Sequence, residues 1–223
     1  MEPSRRIDVI SDAICPWCWI GKTNLDAALA LLGPAAAGFS VHWRPFQLNP
    51  DMPPEGVERA AYRAQKFGSV TRGAELDANV AEAGRKVGIE FRHDRMLRTP
   101  NTVNVHRLLQ WSGSQSTGSQ STGSQSTGLG QHEMAEALFR AYFHDGKDIG
   151  DLAMLADVAA TLGLDAAAFL ASDELAEEVL AEDAYFRKIG ISGVPSFALD
   201  GRVLFSGAYP AEHIAAALTR QAA

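Results

Sequence analysis

Cysteine is scarce: two residues in a chain of 223. A small secreted scaffold stapled by disulfides needs more, so that class is excluded. Positive charge is also short. Twenty Lys and Arg stand against 27 Asp and Glu, for a net charge of −7. A phosphate-binding surface needs clustered cations, so nucleic acid is not an expected partner. No apolar run approaches the ~18–20 residues of a membrane helix, and no membrane partner is expected. The first six residues are polar and lack the apolar core and small-residue cleavage site of a secretory leader. The expected compartment is the cytoplasm. Structural disulfides are rare there, which turns attention to a redox-active or metal-binding role for the two cysteines. What remains is an ordinary globular balance, 46% hydrophobic and 21% charged. The chain is long enough for a sizeable core.

The opening segment carries Ile7, Val9 and Ile10, the pattern of a short buried strand. A turn over 11–14 leads to a helix expected from Pro16 to Leu32, with proline in the first turn and Gly33-Pro34 as the stop. Phe39, Val41 and Trp43 then alternate with polar residues, which predicts a second strand. These elements make one βαβ unit. A proline-rich loop over 45–54 follows. From there to Lys188 the pattern is helical, with apolar stripes at Leu76, Val80, Ala83 and Val87 and at Met134, Leu138 and Tyr142. Leu152, Leu155, Ala156 and Ala159 form a further stripe, as do Leu175, Val179 and Phe186. Thr99-Pro100 reads as N-cap and first residue of the helix holding Val105, Leu108 and Leu109. Strand character returns over 194–199. Asp200-Gly201 predicts a tight hairpin, 203–205 the return strand, and 211–218 a last amphipathic helix. Residues 113–128 repeat a GSQST unit without one apolar side chain, so they read as a flexible linker.

The two cysteines occur as Cys15-Pro16-Trp17-Cys18, directly after a strand and at a helix start. Unpaired N–H groups and the helix dipole favour negative charge there, hence a thiolate at Cys15. The thiolate is the attacking species in disulfide exchange. Cys18, one turn on, can resolve a mixed disulfide by attacking Cys15. A structural zinc site needs four ligands, usually with a second close pair. There is no third cysteine, and no two of the six histidines lie three to five apart. His132-Glu133 opens a metalloprotease-like pattern, but Glu136 stands where the second histidine is required. No metal site is therefore expected. A CxxC at the strand-to-helix junction of a βαβ unit is a redox signature. Trp17, between the cysteines, is expected to be exposed and to meet apolar substrate; Trp19 is expected in the core.

Several segments together resemble the DsbA superfamily of thioredoxin-like oxidoreductases, most of all its FrnE-like branch. That branch is related to 2-hydroxychromene-2-carboxylate isomerases and kappa-class glutathione transferases. The segments are Asp8-Val9-Ile10-Ser11-Asp12 before the cysteine motif, Trp43-Arg44-Pro45-Phe46, and Thr99-Pro100-Asn101-Thr102 with His106-Arg107. Gly190-Ile191-Ser192-Gly193-Val194-Pro195-Ser196-Phe197 and Phe205-Ser206-Gly207-Ala208 complete them. The resemblance implies an α/β protein: a thioredoxin-like fold with a large all-helical insertion domain. The core would comprise 1–50 and 190–223, and the insertion 51–189. The resemblance also implies that Val194-Pro195 is a cis peptide facing the cysteines. Substrate would dock there and on Pro16 and Trp17. Asn49 and Asn101 fall in pocket-lining segments of relatives and are carried as candidate substrate contacts. Phe46, Phe67 and Phe91 are candidates to line a pocket between the two domains.

The expected function is that of a thiol–disulfide oxidoreductase or isomerase, with Cys15 as nucleophile and Cys18 as resolving thiol. Its partners would be protein or small-molecule thiols and disulfides. No tightly bound cofactor is implied, and glutathione enters as a candidate co-substrate. The alternative is a glutathione-dependent isomerase or transferase acting on a small aromatic substrate. Those branches typically carry serine at the position of Cys15. Kappa-class enzymes also place an acidic residue where this chain has Phe205-Ser206-Gly207-Ala208. A third reading is a binding module with inert thiols. Monomer and homodimer both remain open.

Overall fold

The computed structural model describes residues 5–115 and 129–220. Strand β1 (Arg5–Ser11) runs parallel to β2 (Phe39–Pro45) on one side and antiparallel to β5 (Ser196–Leu199) on the other. Strand β6 (Arg202–Ser206) completes a four-stranded sheet in the order β2-β1-β5-β6. As an inner strand with both faces covered, β1 needs apolar residues in succession rather than in alternation. Ile7, Val9 and Ile10 are all buried. Helix α1 (Pro16–Leu32) is the crossover between β1 and β2, and α9 (Ala211–Arg220) packs beside it. The β5–β6 hairpin turns on Asp200 (φ 49°) and Gly201 (φ 81°), the positive-φ pair expected of an Asp-Gly turn. The Asp200 carboxylate also accepts the Arg6 N–H at 2.8 Å, tying the hairpin to β1.

Between β2 and β5 the chain is mainly helical. A short strand β3 (Val57–Glu58) leads into α2 (Arg59–Phe67) and α3 (Val70–Lys86). Strand β4 (Arg98–Thr99), α4 (Val103–Gln115) and α5 (Leu129–Phe143) follow. Helices α6 (Leu152–Thr161), α7 (Ala167–Leu170) and α8 (Ala176–Lys188) close this part. Side chains cap α3 and α6: Ser69 accepts from Arg72 N at 3.1 Å, and Asp151 from Met154 N at 2.9 Å. Met134, Leu138, Phe139 and Leu155 are almost fully enclosed. Each such side chain contributes about 1.5–3 kcal/mol on burial. Helices α4, α5 and α8 pack against β2, so the helical segment rests on the edge of the sheet. At that edge the Gln131 amide accepts the Trp43 N–H at 2.8 Å and donates to the Trp43 carbonyl at 3.2 Å. It stands in for a missing neighbouring strand.

Three expectations need correction. Thr99 does not cap a helix; it pairs with Val57 in the β3–β4 ladder. Helix α4 starts later, where the Asn101 side chain accepts the Val103 N–H at 2.9 Å. An Asx turn has taken the place assigned to Thr-Pro. Leu175 is not inside the stripe of α8 but precedes it with φ 65°. The linker expected over 113–128 begins within α4, which runs on to Gln115; the remainder lies outside the described residues. Among the described residues no helix is long and apolar enough to cross a membrane.

Candidate active site

The turn after β1 delivers both cysteines to the start of α1. Cys15 is the N-cap residue, with extended φ −92° and ψ 111°, and Pro16 follows at the first helical position. The Cys15 N–H donates to the Asp12 carbonyl at 3.0 Å, and Cys18 N–H donates to the Cys15 carbonyl at 3.0 Å. The geometry is therefore a tight turn that runs directly into the helix. Cys15 is 4% exposed and Cys18 is fully buried, whereas Trp17 between them is 42% exposed. Both cysteines are free thiols. Burial pushes the Cys18 thiol well above its ordinary value, and its hydrogen bond to Cys15 and the charge there add to this. The Ser11 hydroxyl and the Asp12 backbone oppose the shift only in part.

The strand end opposite completes the site. The Val194-Pro195 peptide bond is cis. The Cys15 thiol donates to the Val194 carbonyl at 3.5 Å. Pro195 is held from below, where its carbonyl accepts the Gly207 N–H at 2.7 Å. Helix α1 approaches it closely at Gly21, where an added Cβ would lie 2.9 Å from Pro195 Cγ. Cys15, Pro16, Trp17, Cys18, Val194 and Pro195 thus come together from the two ends of the chain.

Asn49 and Asn101 are engaged with other partners. Asn49 lines a cavity of about 580 Å³ between residues 48–53 and α2. Its Oδ1 accepts from Tyr62 Oη and from Lys66 Nζ at 2.7 Å, while its buried Nδ2 has no hydrogen-bond partner. Asn101 is engaged locally at both ends of its amide: Nδ2 donates to the Met52 carbonyl at 2.7 Å and Oδ1 receives Val103 N–H. The aromatic residues expected in a pocket do not line this cavity. Phe46 is buried against Ile10, Phe186 and Ile191, beneath the Arg187 guanidinium. Phe91 is in the main core against Trp19, and Phe67 lies under Arg63. Trp19 is buried as expected and stacks near Phe139 and Phe143.

Sequence reasoning gave no role to Asp12 or His106, yet both are buried at the site. The Asp12 carboxylate accepts Leu48 N–H at 2.7 Å and Ile14 N–H at 3.4 Å. His106 Nε2, from α4, lies 3.6 Å from Asp12 Oδ1. Both lie in segments that carried the family resemblance, which gave neither side chain a role. Among the described residues, no group of three or more His, Cys, Asp or Glu is placed to hold a metal ion.

A dithiol at a helix start, facing a proline just before a strand, is the arrangement of a thioredoxin-like fold. The model of the DSBA-like thioredoxin domain matches residues 6–219, and the chain belongs to that family. A crystal structure described as a probable DsbA oxidoreductase from Streptomyces coelicolor is similar at TM-score 0.81 and 29% identity, covering 97% of this chain and 89% of that one. The cytosolic disulfide reductase DsbM from Pseudomonas aeruginosa, solved with GSH, shares the fold at TM-score 0.65 and 20% identity, covering 97% of this chain and 98% of its own. The uncharacterized protein YwbO of Bacillus subtilis (strain 168) is 24% identical over 203 residues, 89% of this chain and 88% of its own.

Proposed function

We propose that the protein is a thiol–disulfide oxidoreductase of the FrnE-like branch, in which Cys15 attacks and Cys18 resolves. The observation that carries this reading is the pairing of a helix-capping Cys15 with a neighbouring, fully buried Cys18, facing Val194 and Pro195. In the oxidising direction, a substrate thiolate attacks the Cys15–Cys18 disulfide and displaces Cys18 as the leaving thiolate. A second substrate thiolate then attacks the substrate sulfur of the mixed disulfide and releases Cys15. In the reducing direction the Cys15 thiolate opens a substrate disulfide. Cys18, losing its proton, then closes on Cys15 and expels the second substrate sulfur. Trp17 offers an apolar contact for the substrate, and the Val194 backbone a place for an extended segment to lie.

Residues 51–189 act in this reading as an insertion that builds one wall of the substrate site, with Asn49 and Asn101 near its entrance. Protein or small-molecule thiols are the partners. The DsbM structure solved with GSH supports glutathione as a co-substrate, and its description as cytosolic supports a cytoplasmic location. The test is insulin reduction or the isomerisation of a scrambled disulfide substrate, comparing the wild type with Cys15→Ser. The variant is expected to lose the activity, and equal rates would overturn the assignment.

A further inference from the structure

His106 and Asp12 belong to different parts of the chain and are both almost completely enclosed, at 2% and 0% exposure. His106 Nε2 has no hydrogen-bond partner. It points at Asp12 Oδ1 from 3.6 Å, beyond a good hydrogen bond but well within reach of charge. Asp12 is already committed on its other sides. One carboxylate oxygen holds Leu48 in the loop after β2, and the other holds Ile14 in the turn that delivers Cys15. A carboxylate at this depth is costly unless an opposite charge accompanies it. The neighbouring cation on α4, Arg107, does not serve: its guanidinium donates to the carbonyls of Phe169, Ser172 and Glu174 and to Asn104.

We propose that His106 is a positioning residue for the dithiol, its ring facing Asp12 and so setting the charge felt at Cys15. The inference rests on the reading of Cys15 as the attacking thiol. Its effect reaches Cys15 through the turn, since Asp12 and Cys15 share a backbone hydrogen bond of 3.0 Å. The other titratable groups facing the pair are Cys15 and Cys18 on α1, Tyr142 on α5 and Glu182 on α8. Burial pushes the Tyr142 phenol upward, so it stays neutral. Burial and Asp8 raise the Glu182 carboxyl, which pairs with Arg44 at 2.9 Å. Neither supplies the positive charge that Asp12 lacks.

The signs follow from the charges. His106→Gln removes the ring that can offset Asp12, which disfavours a thiolate at Cys15. Asp12→Asn removes a negative charge beside the turn that carries Cys15, which favours it. The experiment measures iodoacetamide modification of Cys15 in the reduced full-length protein from pH 5 to 9, followed by mass spectrometry. At pH 6, His106→Gln is expected to slow modification about three- to ten-fold and Asp12→Asn to quicken it by a similar factor, with the pH profiles displaced in opposite directions. The double variant Asp12→Asn/His106→Gln returns towards the wild-type profile. A merely structural role would not produce opposite displacements that cancel. Displacements of the same sign, a double variant displaced as far as either single variant, or unchanged profiles would overturn the proposal. If His106→Gln fails to fold, Asp12→Asn decides alone: an unchanged or slowed rate refutes it. Failure of the wild type to modify selectively at Cys15 would instead overturn the assignment of Cys15 as nucleophile, and this inference would fall with it.

Discussion

Gly21 provides a test whose sign is decided by the structure. In an ordinary helix, replacing glycine with alanine stabilises by roughly 0.5–1 kcal/mol, because the flexible chain loses less freedom on folding. At Gly21 the new methyl would lie 2.9 Å from Pro195 Cγ and 3.4 Å from Phe197 Cζ. The obstructing atom is part of a pyrrolidine ring and cannot rotate away as a flexible side chain would. Overpacking of this kind costs about 1–3 kcal/mol, which exceeds the propensity gain. Gly21→Ala is therefore expected to lose about 0.5–2 kcal/mol in urea unfolding. It should also slow disulfide exchange, because α1 and Pro195 must separate where they bracket the dithiol. Gly73 in α3 is the control: a methyl there meets Arg63 at 3.7 Å, an ordinary contact. Gly73→Ala should be neutral or stabilising. If Gly21→Ala were as stable as the wild type, the close approach of α1 to Pro195 would be refuted as a packing constraint.

Two further perturbations follow from the same geometry. Gln131→Met keeps the volume but leaves the buried Trp43 N–H and carbonyl without partners; at about 1–3 kcal/mol for each unsatisfied group, thermal or urea unfolding should show a loss of about 2–6 kcal/mol. A loss under 1 kcal/mol would mean that another group takes over both bonds. The pH dependence of the reduced protein should reflect Cys18, whose folded-state thiol is raised well above its ordinary value, first by burial and then by Cys15. Above about pH 9 the unfolded chain ionises this thiol and the folded one resists, so stability falls with rising pH. Cys18→Ala should flatten that part of the curve, and an unchanged alkaline slope would contradict the burial argument.

The sequence was most informative where one residue type has one local use. Proline at 16 and glycine at 33 bracketed α1, whose bounds are Pro16–Leu32. Asp200-Gly201 marked the hairpin between β5 and β6. The stripe through Met134, Leu138 and Tyr142 was core because four-residue spacing leaves such side chains no other common place. Thr99-Pro100 misled because two local solutions competed. The chain used Thr99 for a short ladder and gave the helix start to Asn101. Phe46 and Phe91 misled for another reason: an aromatic residue near a loop looks the same whether it lines a cavity or fills one. The pairing of Asp12 with His106, and of Gln131 with Trp43, depends on where distant helices land. No local pattern encodes that.

The amide of Gln131 has a consequence for how molecules of this protein meet. The outer rim of β2 is the place where a second chain would add a strand and begin a continuous sheet. At its middle, both outward-facing backbone groups of Trp43 are already bonded to Gln131. At its end, Pro45 has no N–H to offer. The opposite rim is β6, where the β5–β6 pairing shifts register between Phe197 and Ala198 and interrupts a regular template. The sheet is thus finished at one rim by a glutamine and irregular at the other, two features that disfavour the addition of a further strand.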